Sequence, residues 1–234
     1  MTPPPMWSGS PLTAPPARLR RAALIAVATV FGLVLVGFVL RFTNLDAAAS
    51  TAIHHLRRGV LAPLAEALYL ALKPVPAALL MLVSTAAVAG LTRSWRQALV
   101  FLGTIALTWG SAEAIKLVVD RPRPGLSEAA MATVGKAVDA SFPSGHVAFT
   151  AAFVVTCAYL AWGTRWRAFV IAPGALLVAC MVAAVVIEGV HYLGDALASL
   201  VWVAGVFPVA RGLCAVAVAR ADAEMRRRRS RQVV

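Results

Sequence analysis

AALIAVATVFGLVLVGFVL, residues 22–40, runs for nineteen positions without a charge or a proline. A helix needs ~20 apolar residues to cross the hydrocarbon core of a bilayer. Lipid offers no partners to backbone N–H and C=O groups, so such a run satisfies them internally as a helix. Working outward, long apolar runs recur at 64–91, 98–119, 147–162, 168–187 and 196–219. The chain is 60% hydrophobic and 14% charged, against roughly half apolar and about a quarter charged in soluble domains. These features predict an all-α fold, a six-span transmembrane helical bundle. The run at 64–91 contains Lys73-Pro74 and Pro76; proline removes a backbone donor, so this span is expected to kink or to begin after them.

The gaps between runs set an orientation. Arg18, Arg20 and Arg21 precede the first run, Arg93 and Arg96 follow the second, Arg165 and Arg167 follow the fourth, and Arg226, Arg227, Arg228, Arg229 and Arg231 follow the sixth. Every second gap is basic, which by the positive-inside rule places both termini in the cytoplasm. The opposite gaps also hold Arg41, Arg57, Arg58, Lys116, Arg121, Arg123 and Lys136, an excess that suits an anion-binding site. The net charge of +12 is then a matter of topology and anionic lipid; no folded basic domain suggests nucleic acid. Residues 1–17, rich in proline, are expected to be a disordered cytoplasmic segment. Residues 18–219 form the membrane domain and 220–234 a basic cytoplasmic tail. The first apolar run exceeds the ~7–15 residues of a signal-peptide core, so it is read as a retained helix. Cys157, Cys180 and Cys214 lie singly in apolar runs and are read as small buried apolar residues. Abundant Ala, Val and Arg with few lysines points to a bacterial plasma membrane.

Three short stretches at the outer ends of these runs carry chemistry. Lys116 and Arg123, in Lys116-x6-Arg123-Pro124, are two cations about two helical turns apart, bent toward one pocket by prolines; Arg121 lies between them. Pro143-Ser144-Gly145-His146 precedes the fourth run. Unpaired amides at a helix start cradle an anion, glycine permits close approach, and Ser144 adds a donor. His146 is placed to exchange a proton with a leaving oxygen or water. His191 and Asp195 are four residues apart, so on a helix they share a face, with the carboxylate accepting the imidazole Nδ1 proton and leaving Nε2 as nucleophile. Cations, a helix N-terminus and two histidines together suit phosphoryl transfer through a phosphohistidine.

These three motifs, in this order within a six-span chain, resemble the type-2 phosphatidic acid phosphatase and vanadium haloperoxidase superfamily. The resemblance covers residues 98–209. It implies that Lys116, Arg123, Ser144 and Gly145 bind phosphate, that His146 is the general acid, that His191 is the nucleophile oriented by Asp195, and that no metal or other cofactor is required. It also implies a lipid phosphate or polyprenyl diphosphate as substrate, met at the outer leaflet.

One departure stands out. The third motif of the family carries a Ser-Arg pair before the nucleophile, and here those positions are Ala184-Val185. A missing charge-assisted contact costs ~2–4 kcal/mol of transition-state stabilisation, or ~10²–10³ in rate. Three explanations follow: Arg121 or Lys136 supplies the charge, a diphosphate is held elsewhere, or catalysis is poor. Glu188 adds negative charge near the pocket and is expected to oppose phosphate binding unless it pairs with Arg121 or Arg123. The segment 126–140 joins two motifs and is expected to shape headgroup selectivity. The function classes are thus a membrane lipid phosphatase, a lipid phosphotransferase, or a non-catalytic phospholipid-binding protein.

Overall fold

The computed structural model describes residues 10–14, 17–124 and 140–232. The expectations for Lys136 and for most of the segment 126–140 fall outside these residues. Among the described residues there are eight helices and no strand: α1 Leu19–Thr43, α2 Ala47–His54, α3 Leu61–Ala71, α4 Pro74–Thr92, α5 Trp95–Val119, α6 Gly145–Ala161, α7 Arg167–Ile187 and α8 Leu193–Gln232. α1, α4, α5, α7 and α8 are long and apolar enough to cross a bilayer. The fourth expected span, α6, is apolar but only 17 residues long, about 25 Å at 1.5 Å per residue.

The expected span at 64–91 is two helices, not one. α3 ends at Ala71, and Lys73, with extended ψ, precedes Pro74 in the first turn of α4. Proline is pre-organised for that position, where its missing N–H has no partner to lose. α3 packs along α7, while α4 packs against α5. The break therefore makes a corner at one end of the bundle.

α5, α6 and α8 form the centre. α8 packs on α1, α5 and α6, and α6 on α5 and α7. Val147, Ala148, Phe149, Ala151 and Ala152 of α6 are all buried, as are Val100, Phe101, Ile105 and Ala112 of α5. Large apolar side chains also cover the outside: Leu24, Phe31 and Leu35 on α1, Leu79 and Val83 on α4, and Phe169 and Leu176 on α7 are exposed. Water does not tolerate apolar patches of that extent on a soluble monomer, so this belt faces lipid and the chain is embedded in a membrane. Cys180 faces outward on this belt, which corrects its reading as a buried residue; Cys157 and Cys214 are half-buried.

The two ends of the bundle differ. At one end Arg96 of α5 pairs with Asp222 of α8, and α8 continues as a helix into the basic tail. Residues 10–14, expected to be disordered, pack there instead: Leu12 is fully buried, Ser10 Oγ donates to the Tyr159 carbonyl at 3.0 Å, and Arg211 Nη1 donates to the carbonyls of Pro11 and Ala14 at 2.9 Å each. At the other end the C-termini of α1 and α5 meet the N-termini of α6 and α8, and all three sequence motifs come together.

Candidate active site

α5 ends at Val119 because Asp120 takes a left-handed conformation (φ 48°, ψ 48°), its N–H closing on the Lys116 carbonyl at 2.8 Å. Arg41 of α1 caps this end, donating to the Val119 carbonyl at 2.5 Å and lying 3.6 Å from the Asp120 carboxylate; a cation there also complements the negative end of the helix dipole. The chain then passes Arg121 and Arg123 and returns at Ser141, whose N–H donates to the Arg121 carbonyl at 2.8 Å and whose Oγ donates to the Pro122 carbonyl at 3.1 Å. The first and second motifs are thereby tied backbone to backbone.

A cavity of about 440 Å³ opens at this point. Lys116, Arg123, Gly145, His146 and His191 all line it, so the structure brings together five of the eight residues singled out in the sequence. The N-terminus of α6 enters through Gly145, where a Cβ would collide with Glu113 Oε1 and stand 3.3 Å from Lys116 Nζ. Glycine at this position leaves room for charged groups against the helix start. Ser144 is the N-cap of α6, but its side chain is fully buried and its Oγ has no partner; it sits behind the residues that line the cavity.

His191 lies in the turn before α8, not on the helix. Its Nδ1 is 2.8 Å from the Ser141 carbonyl oxygen. A carbonyl only accepts, so Nδ1 carries the proton and Nε2 of the neutral ring is unprotonated. The expected partner is not the nearest acceptor: Asp195 Oδ2 is 3.7 Å from Nδ1, beyond hydrogen-bond distance. Asp195 instead accepts from the Tyr192 N–H at 2.9 Å and from Arg121 Nη1 at 2.6 Å. Burial pushes the His191 pKa below its ordinary value, with Arg123 and Lys116 adding to the effect and Asp195 opposing it.

Arg121 corrects a second expectation. It is fully buried, paired with Asp195 and with the Asp46 carboxylate, and its guanidinium lies 3.9 Å from the centroid of the Tyr192 ring. It does not line the cavity, and both of its terminal nitrogens are taken by the two carboxylates. Burial would lower its pKa, but the hydrogen bonds and charges of Asp46 and Asp195 outweigh that and raise it. Glu188 pairs with Arg57, at 3.2 Å, which offsets its negative charge.

Several residues at the site gave no signal in the sequence. Asp46, at the start of α2, also accepts from the Gly194 N–H at 2.9 Å, and Ser50 Oγ accepts from the Leu193 N–H at 2.9 Å; together they cap α8 from another element. Glu113 lines the cavity and pairs with Lys116 at 2.9 Å, a spacing of three on α5 that a search for anion-binding cations passes over. Tyr69 of α3 stacks on His146, ring centroids 4.4 Å apart at 24°. Lys73 completes the wall. Among the described residues no group of three or more His, Cys, Asp or Glu side chains is placed to hold a metal ion.

No curated protein and no solved structure matches the chain. A sequence model described as the PAP2 superfamily matches residues 97–213, half of the chain and every residue of the cavity except Tyr69, Lys73 and their immediate neighbours at the α3–α4 corner. An all-helical membrane bundle that gathers the three motifs at one end agrees with that match, and this chain belongs to the PAP2 superfamily.

Proposed function

We propose that this chain is an integral-membrane lipid phosphatase that acts on a lipid phosphate or polyprenyl diphosphate at the extracytoplasmic face through a phosphohistidine on His191. Membership in the superfamily supports phosphatase activity in general. The observation that carries the finer reading is the Nδ1 contact of His191 with the Ser141 carbonyl, which leaves an unprotonated Nε2 on a ring that lines a cavity with Lys116 and Arg123.

The steps follow from that arrangement. Phosphate oxygens bind to Lys116, Arg123 and the amides at the start of α6. The Nε2 lone pair forms a bond to phosphorus as the bond from phosphorus to the leaving oxygen breaks, and His146 gives that oxygen a proton. His146 Nε2 is buried without a partner among the described residues, and a bound phosphate supplies the negative charge that favours its protonated form. In the second step His146 takes a proton from water, the water oxygen bonds to phosphorus, and the P–N electron pair returns to His191. Asp195 acts at one remove, holding Arg121 and the Tyr192 backbone so that His191 meets Ser141.

Metal-free phosphate release by detergent-purified protein, over a panel of polyprenyl diphosphates and glycerophospholipid phosphates, tests this reading. Release that vanadate inhibits and His191→Ala abolishes is the expected result. Release unaffected by His191→Ala overturns it, and an acceptor-dependent product with little free phosphate assigns transfer in place of hydrolysis. A second reading, a phospholipid-binding protein without turnover, draws on Val185, an uncharged and buried residue where the third motif carries its cation. Wild-type protein that binds lipid phosphate but releases none over the His191→Ala background supports that reading.

A further inference from the structure

The cavity holds a cation that none of the three motifs supplies. Lys73 stands at the corner between α3 and α4, directly before Pro74 in the first turn of α4, and lines the cavity together with Lys116, Arg123, His146 and His191. The chain contains three lysines, and two of them line this one cavity. Among the described residues no carboxylate pairs with Lys73. Its recorded contact is with an aromatic face: Nζ lies 5.6 Å from the centroid of the Tyr69 ring.

That ring fixes where the charge sits relative to the chemistry. Tyr69 stacks on His146, the group that protonates the leaving oxygen, so Tyr69 links the general acid to Lys73. The cation is therefore on the leaving-group side, whereas Lys116 and Arg123 come from the first motif. A neutral alcohol leaving from a phosphomonoester has no charge for such a cation to meet. A leaving group that is itself a phosphate does, and a lysine is a compact point charge suited to it. Val185 cannot serve in its place, being buried in the apolar core.

We propose that Lys73 binds the second, unattacked phosphate of a lipid diphosphate and selects diphosphates over monophosphates, an inference that rests on the phosphatase reading above. His191 Nε2 bonds to the terminal phosphorus, the bond from that phosphorus to the bridging oxygen breaks, and its electron pair stays on the bridging oxygen. His146 protonates that oxygen, and the lipid monophosphate departs with its remaining charge countered by Lys73.

The test uses the full chain in detergent with Lys73→Met, which removes the charge and keeps an unbranched apolar stem on an exposed residue, and Lys73→Arg as the charge-retaining control. On polyprenyl diphosphate against a lipid monophosphate, Lys73→Met is expected to lower the ratio of the two kcat/KM values by about tenfold or more, equivalent to ~1.4 kcal/mol, and Lys73→Arg to restore most of it. An equal loss on both substrates, or no loss, overturns the proposal. Binding separates it from the phosphatase reading. In the His191→Ala background, inorganic diphosphate is expected to bind more tightly than inorganic phosphate by calorimetry, with Lys73→Met erasing the difference. Failure of turnover with this preference intact sinks the phosphatase reading alone. Loss of affinity for anionic vesicles with the diphosphate preference unchanged assigns Lys73 to bulk headgroups and overturns the proposal.

Discussion

At the scale of single residues, three groups are decided by what surrounds them. Arg121 neutralises two carboxylates in a buried cluster, and removing one partner of such a cluster costs ~3–5 kcal/mol because the other charges stay buried. Arg121→Met is therefore expected to lower the thermal midpoint of the detergent-solubilised protein sharply; a phosphate ligand would instead raise KM and leave the midpoint in place. His191 is held neutral by burial. A lowered pKa means that the imidazole gains its proton at a lower pH than an ordinary histidine, whose value is about 6.5, so more of the neutral nucleophile remains as pH falls. The chain has four histidines, and histidine-selective NMR, assigned with His191→Ala, should show His191 titrating with a midpoint below the ordinary value of about 6.5. A midpoint at or above 6.5 refutes the assignment. Val185→Arg, which the sequence motif invites as a gain of function, is expected to destabilise instead. Val185 is fully exposed to neither lipid nor cavity but buried against the core, and its carbonyl accepts from the N–H of His191 at 3.2 Å. An unpaired guanidinium there costs several kcal/mol, and raised activity at an unchanged midpoint would refute this.

At the scale of elements, the site depends on how closely α1 approaches α5. Gly37 of α1 is the contact: a Cβ there would stand 2.8 Å from both Val119 Cγ atoms and 2.9 Å from Phe142 Cε1. Small residues let helices pack in lipid, and this one lets Arg41, one turn on, reach the Val119 carbonyl. Gly32 on the same helix has nothing within 4 Å. Gly37→Val is expected to cost ~1–3 kcal/mol through overpacking and to lower activity by moving α5 and the Phe142 turn. Gly32→Ala should be neutral or slightly stabilising. Thermal midpoints of the two variants side by side check this, and equal effects would mean that Gly37 does not set the spacing. The α3–α4 break also belongs to this scale. The Lys73-Pro74 pair marked a discontinuity in the sequence, but that the resulting corner turns into the cavity follows only from α3 lying on α7 and α4 on α5.

At the scale of the whole molecule, charge is sorted between two ends. α8 is 40 residues long, about 60 Å, twice the hydrocarbon thickness, so its arginine-rich end projects beyond the bilayer. Several of the cations on the opposite side have partners within the protein, among them Arg41 on the end of α5, Arg57 on Glu188, and Arg121 on Asp46 and Asp195. The positive-inside rule counts basic residues whether or not they are paired, so the orientation is a matter for experiment. A fluorescent protein fused after residue 232 should fold and fluoresce in cells, while an export-dependent alkaline phosphatase fused there should be inactive; the reverse pattern would place the site in the cytoplasm. The sequence was sufficient for the membrane class, the helical fold and the identities of Lys116, Arg123, Gly145, His146 and His191, because hydrophobic run length and short motifs are local properties of the chain. It was not sufficient for the two-helix break's direction, for the burial of Arg121, or for Ser141, Asp46, Glu113, Tyr69 and Lys73. Those roles arise between elements as far apart as α2 and α8, where helix packing chooses which of several possible partners each charge and each imidazole nitrogen meets.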